Sequence, residues 1–176
     1  MSLYTHFSNK DELLDLMYAE VAGGMYADQG YPTWQMELTE HSLRVRRTLT
    51  EHPNWAPLLS RPAPPLASSL RERVLKLMAA DGMQEREAFN ALTAVNLSAL
   101  GLVLVELSLG SPLGQSELER RFDELKELVD TKPADDHALT RSAMTKLGRL
   151  DFADTFKYAI EALIKGLETK RAPQAL

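Results

Sequence analysis

The chain has 176 residues, of which 44% are hydrophobic, and a chain of this length can bury one sizeable core as a single domain. Its 20 basic and 25 acidic side chains give a net charge of -5, so any contact with DNA must be local. The chain has no cysteine, which excludes disulfide frameworks, thiolate metal sites and cysteine nucleophiles, and this favours a cytoplasmic location.

Apolar residues recur at three- and four-residue spacing along the whole chain, and no sustained alternation of apolar and polar residues predicts a strand. We therefore expect an all-α fold. Asn9, three residues before Glu12, predicts the N-cap of a first helix. That helix is expected to stop near Gly23-Gly24.

A second helix is predicted to begin after Thr33 and to run to about Glu51. Its exposed side is expected to carry three arginines, Arg44, Arg46 and Arg47. Residues 53–65 contain a cluster of prolines, which predicts a short helical turn around Trp55 followed by a loop.

A third helix is predicted from about Pro65 to Ala80, and a fourth from Glu85 to about Leu109. The fourth is apolar nearly all round, so we expect other helices and a partner subunit to enclose it. Polar residues interrupt its apolar run, which favours a buried helix over a membrane span.

The last third of the chain predicts two more helices. Breaks at Gly110, Pro112 and Gly114 precede a shorter helix that is expected from about Leu118. Residues 134–149 are weakly patterned. Asp151 predicts the N-cap of the final helix, which reaches about residue 169.

The run Ser-Leu-Tyr-Thr-His-Phe-Ser-Asn-Lys-Asp-Glu-Leu-Leu at residues 2–14 resembles the end of the helix-turn-helix of tetracycline-repressor (TetR) family regulators. The resemblance implies DNA contacts by four residues, Tyr4, Thr5, His6 and Lys10. Their chemistry agrees, since a tyrosine hydroxyl, a lysine ammonium and the free N–H groups of a helix start bind phosphate. The same residues also fit an ordinary helix start with a solvated lysine.

Further segments resemble the tetracycline-binding branch of that family. They are Trp34-Gln35, Thr50-Glu51-His52, Ser60-Arg61-Pro62, Ala91-Leu92-Thr93-Ala94-Val95, Leu100-Gly101 and Ile164-Lys165-Gly166-Leu167-Glu168.

The resemblance implies that the chain has three parts. Residues 1–9 are the end of a recognition helix, 10–24 a connecting lever helix, and 33–176 an effector-binding and dimerisation domain. The resemblance also implies a homodimer formed through helices 85–109 and 151–169.

The first helices of the family's helix-turn-helix have no counterpart after Met1. A recognition helix without its supporting helix has an uncovered apolar face, so we expect operator DNA to bind only together with the missing N-terminal helices. In that case Met1 would be an internal residue of a longer native protein.

The resemblance implies a small-molecule effector between the helices of the body. The candidate ligand-binding residues are Tyr26, His41, Val45, Trp55, Ser60, Arg61, Arg73 and Asn96. A structural role stays open for each of them. His41 fits an ordinary hydrogen-bonded histidine, both arginines fit a solvated surface, and Asn96 fits a cross-link between buried helices.

One position departs from the tetracycline-binding branch, because Pro57 aligns with a histidine that binds magnesium there. Proline cannot bind a metal ion. We therefore expect no metal and no cofactor, and an apolar ligand with a few polar anchors.

The sequence favours a ligand-responsive regulator, which is expected to act as a repressor, over two other function classes. An enzyme is disfavoured, because His6, His41, His52 and His137 lack metal-site spacing and no nucleophile motif is present. The alternative is a stand-alone helical ligand-binding and dimerisation module without DNA binding. The coding sequence upstream of Met1 would distinguish the two, and neither implies a membrane partner.

Overall fold

The computed structural model describes residues 9–27, 29–60, 65–110, 112–133, 135–147 and 151–169. These ranges are helical and contain no strand, which confirms the all-α prediction. The elements in chain order are α1 (Lys10–Met25), α2 (Trp34–Glu51), the 3-10 helix η1 (Pro53–Ser60), α3 (Pro65–Ala80), α4 (Glu85–Gly110), α5 (Pro112–Asp130), α6 (Ala138–Leu147) and α7 (Phe152–Thr169).

Three of the helices begin with a side-chain cap, as the sequence predicts. The Asn9 side chain accepts a hydrogen bond from the backbone N–H of Glu12 at 2.8 Å. Thr33 caps α2 in the same way, and Asp151 accepts two N–H groups of α7. Each cap satisfies donors that the first turn of a helix leaves without partners.

Helix α1 runs through Gly23-Gly24 and ends at Met25, one residue beyond the stop that the sequence predicts near the two glycines. Glycine disfavours a helix by only about 1 kcal/mol relative to alanine. Met25 is 1% exposed and lies in the core, and the free energy of burying such a side chain, about 1.5–3 kcal/mol, is of the same size as the cost of two glycines. Tertiary packing therefore helps to keep the helix intact through both glycines.

Helix α4 is the centre of the fold, since it packs against α2, α3, α5 and α7. Its buried residues recur at three- and four-residue spacing and are Ala88, Ala91, Leu92, Val95, Ala99 and Val103. The opposite side exposes four large apolar side chains, Phe89, Leu97, Leu104 and Val105. Within this single chain α4 is therefore enclosed on one side only.

By length and composition, α4 is also the one helix among the described residues that is apolar enough to cross a membrane. The core helix of a globular protein meets the same criterion, and one face of α4 has that role here.

The later helices differ from the prediction in two places. Helix α5 begins at Pro112 rather than near Leu118, because proline is well suited to the first position of a helix. The weakly patterned region contains α6, which packs against α5.

Two arginines of α2 are half-buried rather than exposed, which corrects the prediction for Arg44 and Arg46. The Arg46 guanidinium donates to both carboxylate oxygens of Glu106 on α4, at 2.8 and 2.6 Å. It also lies 5.9 Å from the ring centre of Phe156 on α7. Arg46 thus joins three helices, and only Arg47 is exposed as predicted.

Candidate ligand-binding site

A small cavity of about 50 Å³ lies where the end of α1 meets α2, α3 and α4. Five of its nine described lining residues are aliphatic, and the other four are polar or aromatic. The lining residues are Tyr26, Leu38, His41, Ala67, Leu70, Arg71, Val74, Leu92 and Asn96.

Two rings form one wall of the cavity. Tyr26, directly after the last residue of α1, stacks on His41 of α2, with ring centres 5.3 Å apart and an angle of 29° between the planes. Burial, with a smaller contribution from Tyr18, raises the pKa of the Tyr26 hydroxyl to about 12. The phenol is therefore uncharged at neutral pH.

His41 connects the cavity to the end of α1. Its Nδ1 atom lies 3.0 Å from the carbonyl oxygen of Met25, the last residue of that helix. A carbonyl only accepts hydrogen bonds, so Nδ1 carries the proton and donates. Burial lowers the pKa of His41 to about 4, and the hydrogen bond to Met25 only partly opposes the shift. The ring is therefore neutral, and Nε2 is left as an acceptor.

Arg44, one turn after His41, holds the same end of α1. Its Nε atom donates to the Met25 carbonyl at 3.5 Å, and its Nη2 atom donates to the Ala27 carbonyl at 3.2 Å. The last carbonyls of a helix lack partners within the helix, and a cation next to them is favourable. Two side chains of α2 therefore fix where α1 ends.

A buried carboxylate on α2 pairs with Arg44. Glu37 is fully buried, with Arg44 at 3.5 Å and Arg73 of α3 at 3.6 Å. Arg73 also donates to the carbonyl of Tyr31. The two guanidinium groups compensate the buried charge, which unpaired would cost several kcal/mol.

Asn96 and Arg71 complete the polar lining. The side-chain oxygen of Asn96, on α4, is buried and has no hydrogen-bond partner within the described ranges. Arg71 is mostly exposed, and its charge acts on Tyr26 by lowering the pKa of that phenol against the larger effect of burial. The cavity therefore has a neutral interior and a cation at its edge.

Three of the eight candidate ligand-binding residues, Tyr26, His41 and Asn96, line the cavity. Val45 is buried in the core away from it, and Trp55 stacks on His52 with ring centres 3.9 Å apart. The side chain of Ser60 and all of Arg61 lie outside the described residues.

The sequence singled out Arg73 on α3, but the cavity is lined by Arg71 instead. Arg73 points to Glu37 and Tyr31. The signal that identifies Arg71 is helical spacing, because Ala67, Leu70, Arg71 and Val74 occupy one face of α3.

Of the four candidate DNA contacts, Lys10 is the first residue of α1 and is exposed. Tyr4, Thr5 and His6 lie outside the described residues. Elsewhere in the described ranges, no group of three histidine or acidic side chains converges in a way that would hold a metal ion.

Comparisons with known proteins agree with this architecture. A family model described as the tetracycline-repressor-like C-terminal domain matches residues 27–171. A transcriptional regulator of the helix-turn-helix type from Saccharopolyspora erythraea is 33% identical over 109 residues, which are 60% of this chain and 46% of that protein. The chain thus spans less than half the length of this relative. The class D tetracycline repressor of Escherichia coli is 26% identical over 178 positions, covering 96% of this chain and 74% of the repressor.

Two solved structures share the fold. The Streptomyces coelicolor TetR family protein ActR, in complex with actinorhodin, superimposes with a TM-score of 0.71 at 23% identity, over 97% of this chain and 81% of that one. TetR from Acinetobacter baumannii AYE gives a TM-score of 0.64 at 23% identity, over 96% and 79% of the two chains.

The low pKa of His41 makes stability depend on pH. Because the folded pKa is about 4 and the unfolded value 6.5, the unfolded chain takes up the proton first as the pH falls. The contribution of His41 is complete above the unfolded pKa and is lost between pH 6.5 and 4. Because of His41, we expect the free energy of unfolding to be about 2 kcal/mol lower at pH 5 than at pH 7.

Urea denaturation of the wild type and of His41→Gln at both pH values measures this contribution. Glutamine can still donate to the Met25 carbonyl but does not titrate, so its pH difference should be smaller by that amount. His137→Gln, at an exposed position, should behave as the wild type does. Equal pH differences in the wild type and His41→Gln would contradict the buried, neutral state of His41.

Proposed function

The chain belongs to the tetracycline-repressor-like family, and we propose that it is the sensor body of a ligand-responsive transcriptional regulator that acts as a repressor. A small molecule in the cavity would shift the position of α1 and of the DNA-reading segment that precedes it. The names of the relatives support this role, since two of them are tetracycline repressors.

The observation that carries the proposal is the direct contact between the cavity and the end of α1. Tyr26 and His41 line the cavity, and His41 holds the last carbonyl of the helix. A ligand that displaces either ring must therefore also act on the hydrogen bond that fixes this end of the helix.

The size of the cavity supports a change of conformation on binding. About 50 Å³ is far below the roughly 300–1,000 Å³ of usual ligand pockets. The described conformation is thus the contracted one, and an effector would favour an expanded conformation with its rings moved apart. Selective binding to that conformation shifts the population toward it.

Within this proposal α1 is the lever, as the resemblance implies for residues 10–24, and residues 33–176 form the sensing and dimerising body. The structure of ActR with actinorhodin is a case of ligand binding on the same fold. Tyr4, Thr5, His6 and Lys10 would contact operator DNA, together with the helices that precede them in the family. The protein would act in the cytoplasm and without catalysis.

We also propose that the chain forms a homodimer through α4 and α7. The two helices pack against each other, and each exposes large apolar or aromatic side chains. Leu97, Leu104 and Val105 of α4 are 65%, 45% and 53% exposed, and Tyr158 of α7 is 76% exposed. Such an apolar face on paired helices is suited to a four-helix bundle with a second copy.

Charge at the centre of this face should separate the subunits. We expect Leu97→Arg to be a monomer at micromolar concentration while the wild type is a dimer, since the buried guanidinium would have no partner. Leu16→Arg, at a position on α1 that is 52% exposed, should remain dimeric. Multi-angle light scattering distinguishes the two masses, and a dimeric Leu97→Arg variant would place the interface elsewhere.

Filling the cavity should move α1. The chain has no cysteine, so Leu16→Cys provides a single site for a spin label on the exposed side of the helix. Ala67→Phe places a ring in the cavity and imitates an occupied state. We expect the distance between the two labels of a dimer to shift by several ångströms in Ala67→Phe, as measured by double electron–electron resonance.

A label introduced by Lys157→Cys on α7 is the matched control, because it is expected to keep the same distance with and without Ala67→Phe. If both labels keep their distances, the cavity does not control α1 and the proposed mechanism is wrong.

A further inference from the structure

We infer that the cavity selects an uncharged aromatic molecule with hydroxyl or N–H donors, and that Asn96 of α4 sets this preference through its side-chain carbonyl. The inference rests on the proposed function, since it names the chemistry of the effector.

Asn96 lines the cavity, and its buried side-chain oxygen has no hydrogen-bond partner among the described residues. A buried acceptor without a partner destabilises a protein. A ligand that donates a hydrogen bond to this oxygen removes that penalty, which a ligand without donors leaves in place.

His41 also carries an acceptor. Its Nδ1–H group donates to Met25, and the ring is neutral, so Nε2 offers a lone pair. Two residues with acceptor atoms, one on α2 and one on α4, therefore line the same small space. Their natural complement is a pair of donors on one molecule.

The remaining walls fit an aromatic ring. Tyr26 and His41 stack on each other, and both residues line the cavity. The other walls are aliphatic side chains and are formed by Leu38, Ala67, Leu70, Val74 and Leu92. Aromatic and aliphatic surfaces of this kind favour a flat apolar body with few polar groups.

The charge at the cavity disfavours a cation. Among the described residues no carboxylate lines the cavity, whereas Arg71 does. An ammonium group would meet this guanidinium without a counter-charge, and the neutral His41 offers no compensation. An anion without donors would leave both acceptors unsatisfied.

Resorcinol and 1,3-dimethoxybenzene test the preference for donors. They share the ring and the substitution pattern, but only resorcinol donates hydrogen bonds, and it is small enough to need little expansion of the cavity. Saturation-transfer difference NMR detects millimolar binding to the intact protein. We expect resorcinol to bind about tenfold more tightly, as two hydrogen bonds of about 0.5–1.5 kcal/mol each imply.

Asn96→Leu is the variant that isolates the carbonyl. We expect it to reduce the preference for resorcinol to about threefold, because one of the two acceptors is lost. We also expect its melting temperature to rise by a few degrees, since the unsatisfied oxygen is gone. A purely structural Asn96 would give the opposite change in stability. Asn90→Leu, at an exposed position of the same helix, should change neither quantity.

The outcomes separate the inference from the proposed function. If both fragments bind equally and Ala67→Leu abolishes both signals, the cavity is a ligand site but the inference is wrong. If neither fragment binds, or if Ala67→Leu leaves both signals unchanged, the cavity is no ligand site and both proposals fail.

Discussion

The carbonyl group of Met25 is the constraint on which the arrangement of this protein depends. It is the last residue of α1, and its oxygen accepts hydrogen bonds from His41 and Arg44 of α2. A carbonyl at a helix end needs a partner, and here the partner is also a wall of the cavity. The geometry of α1 is therefore tied to the state of the cavity through one ring, with no intervening element.

Helix α2 can hold α1 in this way because buried charges hold α2 in turn. Glu37 lies between Arg44 and Arg73, so the guanidinium that reaches the end of α1 is itself held by a carboxylate. On the other side, Arg46 binds Glu106 of α4 through two hydrogen bonds. Breaking a buried pair by removing one partner costs about 3–5 kcal/mol. The side chains that hold the end of α1 are therefore themselves held by buried charges.

The sequence predicts those parts of the fold that depend on local chemistry. Asn9, Thr33 and Asp151 cap their helices as predicted, because a cap needs only a side chain and the backbone beside it. Contacts between distant segments decide the rest. The run of α1 through its glycines depends on the burial of Met25. On α3, Arg71 and Arg73 look alike in the sequence, and only the buried Glu37 of α2 determines which of them turns away from the cavity.

The claim that His41 fixes the end of α1 is tested most directly by hydrogen exchange. His41→Phe keeps a ring against Tyr26 but has no Nδ1–H group for the Met25 carbonyl. With exchange followed by mass spectrometry, we expect amides in the last two turns of α1 to exchange faster in the variant, by up to about tenfold for one lost hydrogen bond. Those of α7 should be unchanged. Equal exchange in α1 of both proteins would show that His41 does not fix the end of this helix.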